Sequence, residues 1–228
     1  MRKLTAVLLV VAIICVIADR LAVAVAQRQI GSRVAQAYEL RARPGVRIRG
    51  FPFLTQVVAG HYGAVDVWMN SVVAGGVTLS RLDARFTGVR APLNQVLGQG
   101  AATVTADHAT ATALVPLAAL RQRLPHGLAL HQDGPRLRLS GTVGYAGVRL
   151  PVAATVTATA SPSGITLRPR DITVGGGVTI PLSTVAGRLG FAVPLGALPL
   201  HLRVTSVSVG PAGLRITAAQ SDVHFASR

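Results

Sequence analysis

Apolar and polar positions along this chain follow three patterns in succession. Leu4 to Ala18 is an unbroken apolar run behind Met1-Arg2-Lys3. After Asp19-Arg20, the residues Val23, Ala26, Ile30, Val34 and Ala37 recur at three- and four-residue steps, which puts them on one face of a helix over Leu21 to Leu40. Pro44 stops that helix, because residues before a proline are pushed out of the helical region. Period two then takes over. Val46-Arg47-Ile48-Arg49, Val65 to Met69 and Leu82 to Phe86 alternate, as do Leu137 and Leu139 against Arg136 and Arg138. Leu150, Val152, Ala154, Val156 and Ala158 form one face of a long strand. Leu200, Leu202 and Val204 alternate near the end, and Leu214-Arg215-Ile216-Thr217 returns after the turn Gly210 to Gly213. Alternation of this kind marks half-buried antiparallel strands. The fold class expected is α+β, mostly antiparallel β.

Short helices are expected where Val115-Pro116-Leu117 leads to Arg123-Leu124 and where Ile180-Pro181-Leu182 leads to Arg188-Leu189. A proline at the first helical position is favourable, since its missing N–H would have had no partner there. The identical spacing hints at two equivalent halves. Pro92 to Leu97 is a third candidate, and Ser161-Pro162-Ser163-Gly164 reads as a hairpin turn. No linker divides the chain, so residues 1–20 read as a membrane anchor or signal and residues 21–228 as one exported domain.

The apolar run would span about 22 Å as a helix, against about 30 Å for a hydrocarbon core. That length suits a secretory signal, with Ala22-Val23-Ala24 or Ala24-Val25-Ala26 as the cleavage site. An uncleaved single-pass anchor would extend through Leu21 to Ala26, with Asp19 and Arg20 paired or turned to the interface. Either way Arg2 and Lys3 stay in the cytoplasm and the rest is exported. The domain is then held on the extracytoplasmic, periplasmic side of the cell membrane, or secreted if the signal is cut. Cys15, the only cysteine, lies inside the run, so no disulfide is available.

Half the residues are hydrophobic but only 4 % are aromatic, so the interior must be aliphatic. The formal charge is +15, and removing residues 1–26 takes away Arg2, Lys3, Arg20 and Asp19, leaving +13 on the exported part. Every basic residue except Lys3 is arginine. The planar guanidinium binds phosphate head groups in a bidentate way; ordinary surface charge in a GC-biased genome is the other reading. An exported location argues against nucleic acid as the partner.

The most distinctive stretch is Gly50-Phe51-Pro52-Phe53-Leu54-Thr55-Gln56, followed by Gly60. It comes directly after Arg41, Arg43, Arg47 and Arg49. One reading makes it the edge of a lipid-binding mouth, with those arginines on phosphate and Phe51, Phe53 and Leu54 against acyl chains. The other makes Phe51 and Phe53 core plugs where the helix hands over to the sheet.

The hydrophobic N-terminus, the helix opening Asp19-Arg20-Leu21, the Gly50 to Gln56 stretch and Gly60 together resemble the LmeA-type (mannan chain elongation factor-like) phospholipid-binding family of actinobacterial cell-envelope proteins. The closing segments Leu198-Pro199-Leu200, Val204 to Val209 and Gly213 to Ile216 are also similar to that family's C-terminal hairpin. The resemblance implies a long curved sheet wrapped around the N-terminal amphipathic helix, as in tubular (TULIP/BPI-like) lipid-binding domains. It also implies an exported, membrane-associated protein that binds phospholipid and serves envelope glycolipid maturation. The expected partners are an anionic phospholipid (inositol phospholipids among the candidates), the membrane surface and envelope glycosyltransferases. An aliphatic groove gains about 0.8 kcal/mol per buried CH₂ of an acyl chain.

No catalytic constellation can be assembled. There is no G-x-S-x-G elbow, H-E-x-x-H or P-loop. Beyond the anchor, Glu39 and six scattered aspartates supply no carboxylate pair. His61, His108, His126, His131, His201 and His224 lack metal-ligand spacing. Asp107 and His108 are neighbours on a predicted strand and face opposite ways. The sequence therefore calls for no cofactor, no metal and no enzyme. A lipid-handling protein leads; an envelope scaffold without a lipid ligand and a lipid or glycan hydrolase are the rivals.

Overall fold

A computed structural model of the chain describes residues 2–37, 40, 42–74, 77–92, 103–122, 124, 126–145, 147–161, 164–175, 191–194 and 202–226. The helix expected over Ile180 to Leu189, most of the Pro92 to Leu97 candidate, the turn residues Pro162 and Ser163, and Leu198 to Leu200 lie outside these residues. The second member of the suggested internal repeat lies there too.

The described elements are helices α1 (Arg2–Ala37), α2 (Phe53–Ala59) and α3 (Leu117–Arg121) with eleven strands. The strands are β1 (Gly45–Arg49), β2 (His61–Ala74), β3 (Val77–Arg90), β4 (Thr103–Val115), β5 (Leu128–Asp133), β6 (Arg136–Tyr145), β7 (Val148–Ser161), β8 (Gly164–Val174), β9 (Phe191–Pro194), β10 (Arg203–Gly210) and β11 (Gly213–Ala226). They form two sheets, ordered β1-β2-β3-β4-β11-β10 and β5-β6-β7-β8-β9. β1 pairs antiparallel with β2 and β10 with β11, and every neighbour in the second sheet is antiparallel. The α+β class with mostly antiparallel strands follows from the alternation in the sequence. The division into two sheets does not.

The chain forms two compact units. The first comprises Met1–Met69, Asp83–Thr110 and Gln220–Arg228. Its α1 is one continuous helix of 36 residues, about 54 Å long at 1.5 Å per residue. Large apolar side chains from Leu4 to Ile17 are 44–71 % exposed. Further on, α1 packs against β1 and α2. Of the expected stripe, Val23, Ala26 and Val34 are half-buried while Ile30 and Ala37 are exposed. The fully buried positions on α1 are Asp19 and Gly31. Gly31 sits where a Cβ would come within 2.9 Å of the Pro44 carbonyl oxygen. The returning chain approaches the helix so closely that a small residue, not a large apolar one, suits the contact. The unit's core is partly aromatic, with Phe53 near Tyr62 at 6.3 Å and Phe86 edge-on to Phe225 at 5.3 Å.

The second unit comprises Asn70–Leu82 and Ala111–Ala219. Its core cluster is aliphatic, as the scarcity of aromatics requires. Leu150, Val152, Ala154 and Val156 on β7 are all buried, while Arg149, Pro151 and Thr157 are exposed. Across the ladder Leu137 opposes Val156 and Leu139 opposes Ala154, so one face of β6 and β7 is continuous aliphatic surface. Leu130, Leu137 and Leu167 have no exposed surface. Pro116, expected as the first helical residue, is instead the N-cap of α3, and the helix begins one position later at Leu117. Leu120 of that helix is fully buried, and Arg121 Nε donates to the Leu130 carbonyl at 2.9 Å.

Candidate functional site

The distinctive stretch folds as a short helix. Phe51-Pro52 is a cis peptide, and Pro52 is the N-cap of α2, in extended conformation with no side-chain cap of its own. The first turn of a helix leaves N–H groups without intrahelical partners. Here Leu54 N–H donates to Asp19 Oδ1 of α1 at 2.9 Å. A carboxylate at this end of a helix is also favoured by the helix dipole. At the other end Gly60 adopts the left-handed conformation (φ 66°), and its N–H reaches the carbonyls of Gln56 and Val57. That conformation strains any residue with a Cβ, so glycine belongs there. Thr55 Oγ1 donates to the Pro52 carbonyl at 2.8 Å, and Gly63 N–H donates to Gln56 Oε1 at 3.4 Å.

The two phenylalanines part company. Phe53 is buried beside Tyr62, whose hydroxyl pKa is raised by that burial. Phe51, Leu54 and Val58 are 59 %, 44 % and 79 % exposed; Leu54 and Val58, four apart on α2, share one face of the helix, and Phe51 stands just before its N-cap. The Arg20 guanidinium lies 4.8 Å from the centroid of the Phe51 ring. Asp19, only 2 % exposed, takes a second contact from Arg20 at 3.2 Å.

The arginines divide as well. Arg41 lies outside the described residues. Arg43 is exposed. On β1, Val46 and Ile48 are buried and Arg47 and Arg49 exposed, as alternation requires. Arg47 is 5.8 Å from the Trp68 ring. Arg49 Nε and Arg85 Nε donate to the two carboxylate oxygens of Asp66, the latter at 2.7 Å. Burial pushes the Asp66 carboxyl upward, but the hydrogen bonds and charges of Arg85 and Arg49 outweigh it and hold its pKa below the ordinary carboxylate range. Asp66 in turn raises the Arg85 pKa.

Sequence reasoning did not assign Asp19 to α2, Val58 to the exposed face, or Asp66 and Arg85 to Arg49. A usable signal existed only for Asp19, the one acidic residue among the first 38, set directly after the apolar run.

Other chemistry is sparse. Among the described residues no group of three His, Cys, Asp or Glu side chains is placed to hold a metal ion. His108 Nδ1 and Ser221 Oγ are 3.2 Å apart, but the neighbouring Asp107 is paired with Arg90 at 3.0 Å. These residues do not assemble the Ser-His-Asp relay that nucleophilic catalysis needs.

No curated protein and no solved structure matches the chain. The model of the LmeA-like phospholipid-binding family matches residues 17–219. That span begins two residues before Asp19 and takes in α2, strands β1 to β10 and the first half of β11. The chain therefore belongs to the LmeA-like phospholipid-binding family.

Proposed function

We propose that this protein binds and handles phospholipid on the outer face of the cytoplasmic membrane, without catalysis, in support of envelope glycolipid and lipoglycan maturation. The observation that carries the reading is the junction of two features: a family match for phospholipid binding over residues 17–219 and a helix, α1, long and apolar enough to cross a membrane. Residues 1–20 act as the uncleaved anchor and residues 21–228 as the exported, periplasmic part. The stretch from Arg41 to Leu54 is where lipid is met, through Arg43, Arg47, Phe51 and Leu54, while Phe53 is buried and Arg49 is paired with Asp66. Exposed guanidinium groups take the phosphate of an anionic phospholipid, inositol types included, and aliphatic strand faces take acyl chains in the tubular arrangement the family resemblance implies. Envelope glycosyltransferases, not nucleic acid, are the macromolecular partners.

Native mass spectrometry of the full chain, extracted gently from membranes, tests this. A phospholipid bound at fixed stoichiometry is expected. A chain that carries no lipid and shows no preference for anionic vesicles would replace this reading with that of a scaffold.

A further inference from the structure

We infer that α2 is a second membrane contact, held by Asp19 at the depth where α1 leaves the bilayer, so that Phe51, Leu54 and Val58 enter the outer leaflet. This rests on the anchored reading above and names the surface that the site meets. Arg2 and Lys3 keep the start of α1 in the cytoplasm, so its later turns lie on the outer side. A core of about 30 Å takes about 20 helical residues, which from Leu4 reaches the neighbourhood of Val23. Asp19 and Arg20 then fall about 5 Å inside that limit. Leu21 and Val25, 63 % and 53 % exposed, continue the apolar surface past them.

A carboxylate at such a depth requires partners, because an unsatisfied charge in hydrocarbon is costly. Asp19 has them in the Leu54 N–H and Arg20, and is 2 % exposed. The same bonds fix where α2 lies. Leu54 is joined to residue 19 and Phe51 to residue 20. The exposed apolar face of α2 therefore stands beside the exposed apolar surface of α1, not in water. Arg20, stacked on Phe51, is placed for the head-group layer, where long basic side chains turn their charge outward. Cutting after Ala24 or Ala26 would remove both Asp19 and Arg20, so the arrangement also requires that the N-terminal segment be retained.

The test uses the full chain with Cys15→Ser, reconstituted in phosphatidylcholine/phosphatidylglycerol vesicles. A single cysteine replaces Leu54, Val58 or the exposed His131 and carries an environment-sensitive fluorophore. Labels at 54 and 58 should be quenched several-fold more by spin-labelled lipid, and less by iodide, than the label at 131. Asp19→Ala should abolish that difference for the label at 58, and Asp19→Asn, which keeps an acceptor oxygen, should restore much of it. Labels at 54 and 58 that behave as the one at 131 does overturn the inference. Native mass spectra of the same samples separate the two readings. Water-exposed labels on a lipid-loaded chain sink this inference alone, whereas inserted labels on a lipid-free chain support it and sink the phospholipid cargo.

Discussion

Trp68 covers Gly45, its register partner across the β1–β2 ladder, so closely that a Cβ on Gly45 would collide with the indole Cε2. The strand glycine gives up a side chain and the aromatic fills the space, with Arg47 over the ring on the same strand. Gly45→Ala should displace the indole and cost about 1–3 kcal/mol, as overpacking does. Trp68 is the only tryptophan, so a shift in its emission reports the displacement directly. Unchanged emission and stability would show that the ring is not held over the backbone.

Asp66 should make stability depend on pH in the acid range. Its pKa is depressed by Arg85 and Arg49, so its contribution is complete above the unfolded-state value, about 3.9, and is lost as pH falls through the lower folded-state value. Asp66→Asn should be less stable than the wild type at pH 7, with the difference closing as the solution is acidified. Denaturant titrations across that range check it; a constant difference would assign the effect to packing.

In the second unit, Leu130 and Leu139 are 0 % and 1 % exposed within an aliphatic cluster. Leu139→Ala should cost about 2–5 kcal/mol, because deleting buried methyl groups forfeits transfer energy and leaves a cavity. Chemical denaturation measures it. A loss below about 1 kcal/mol would mean that the neighbouring side chains close over the gap.

The arginines are expected to act on membranes in proportion to their availability. Replacing Arg43 and Arg47 by serine should weaken binding to anionic vesicles and reduce its salt sensitivity, with thermal stability little changed. Arg49→Ser should instead lower stability, since it breaks the bond to Asp66. Sedimentation with vesicles at two salt concentrations, beside thermal melts, distinguishes the two outcomes.

Strands were legible because their side chains alternate with period two whatever the sheet order, and one buried face leaves that alternation in the sequence. It placed β1, β6, β7 and the β10–β11 hairpin, and it foretold which face of β7 is buried. The long apolar N-terminal helix was legible too, since an apolar run needs no partner to announce itself. Strand order was not, because alternation says which way a side chain points and not which strand lies beside it. The split of one expected sheet into two is a choice among pairings.

At the candidate site the chain order carries even less. Phe51 and Phe53 look equivalent in the sequence, yet one is exposed and the other buried, because Pro52 and the short turn of α2 send them to different sides. Asp19 and Leu54 are 35 positions apart, and no local rule connects a carboxylate at the end of an apolar run to a bare helix N-terminus. Composition and spacing determined an aliphatic, mostly antiparallel, arginine-rich protein with one N-terminal helix long and apolar enough to cross a membrane. Folding alone decided that the acidic residue of α1 caps α2, because a hydrogen bond forms between atoms that meet in space, and the meeting is set by how α1, β1 and α2 pack.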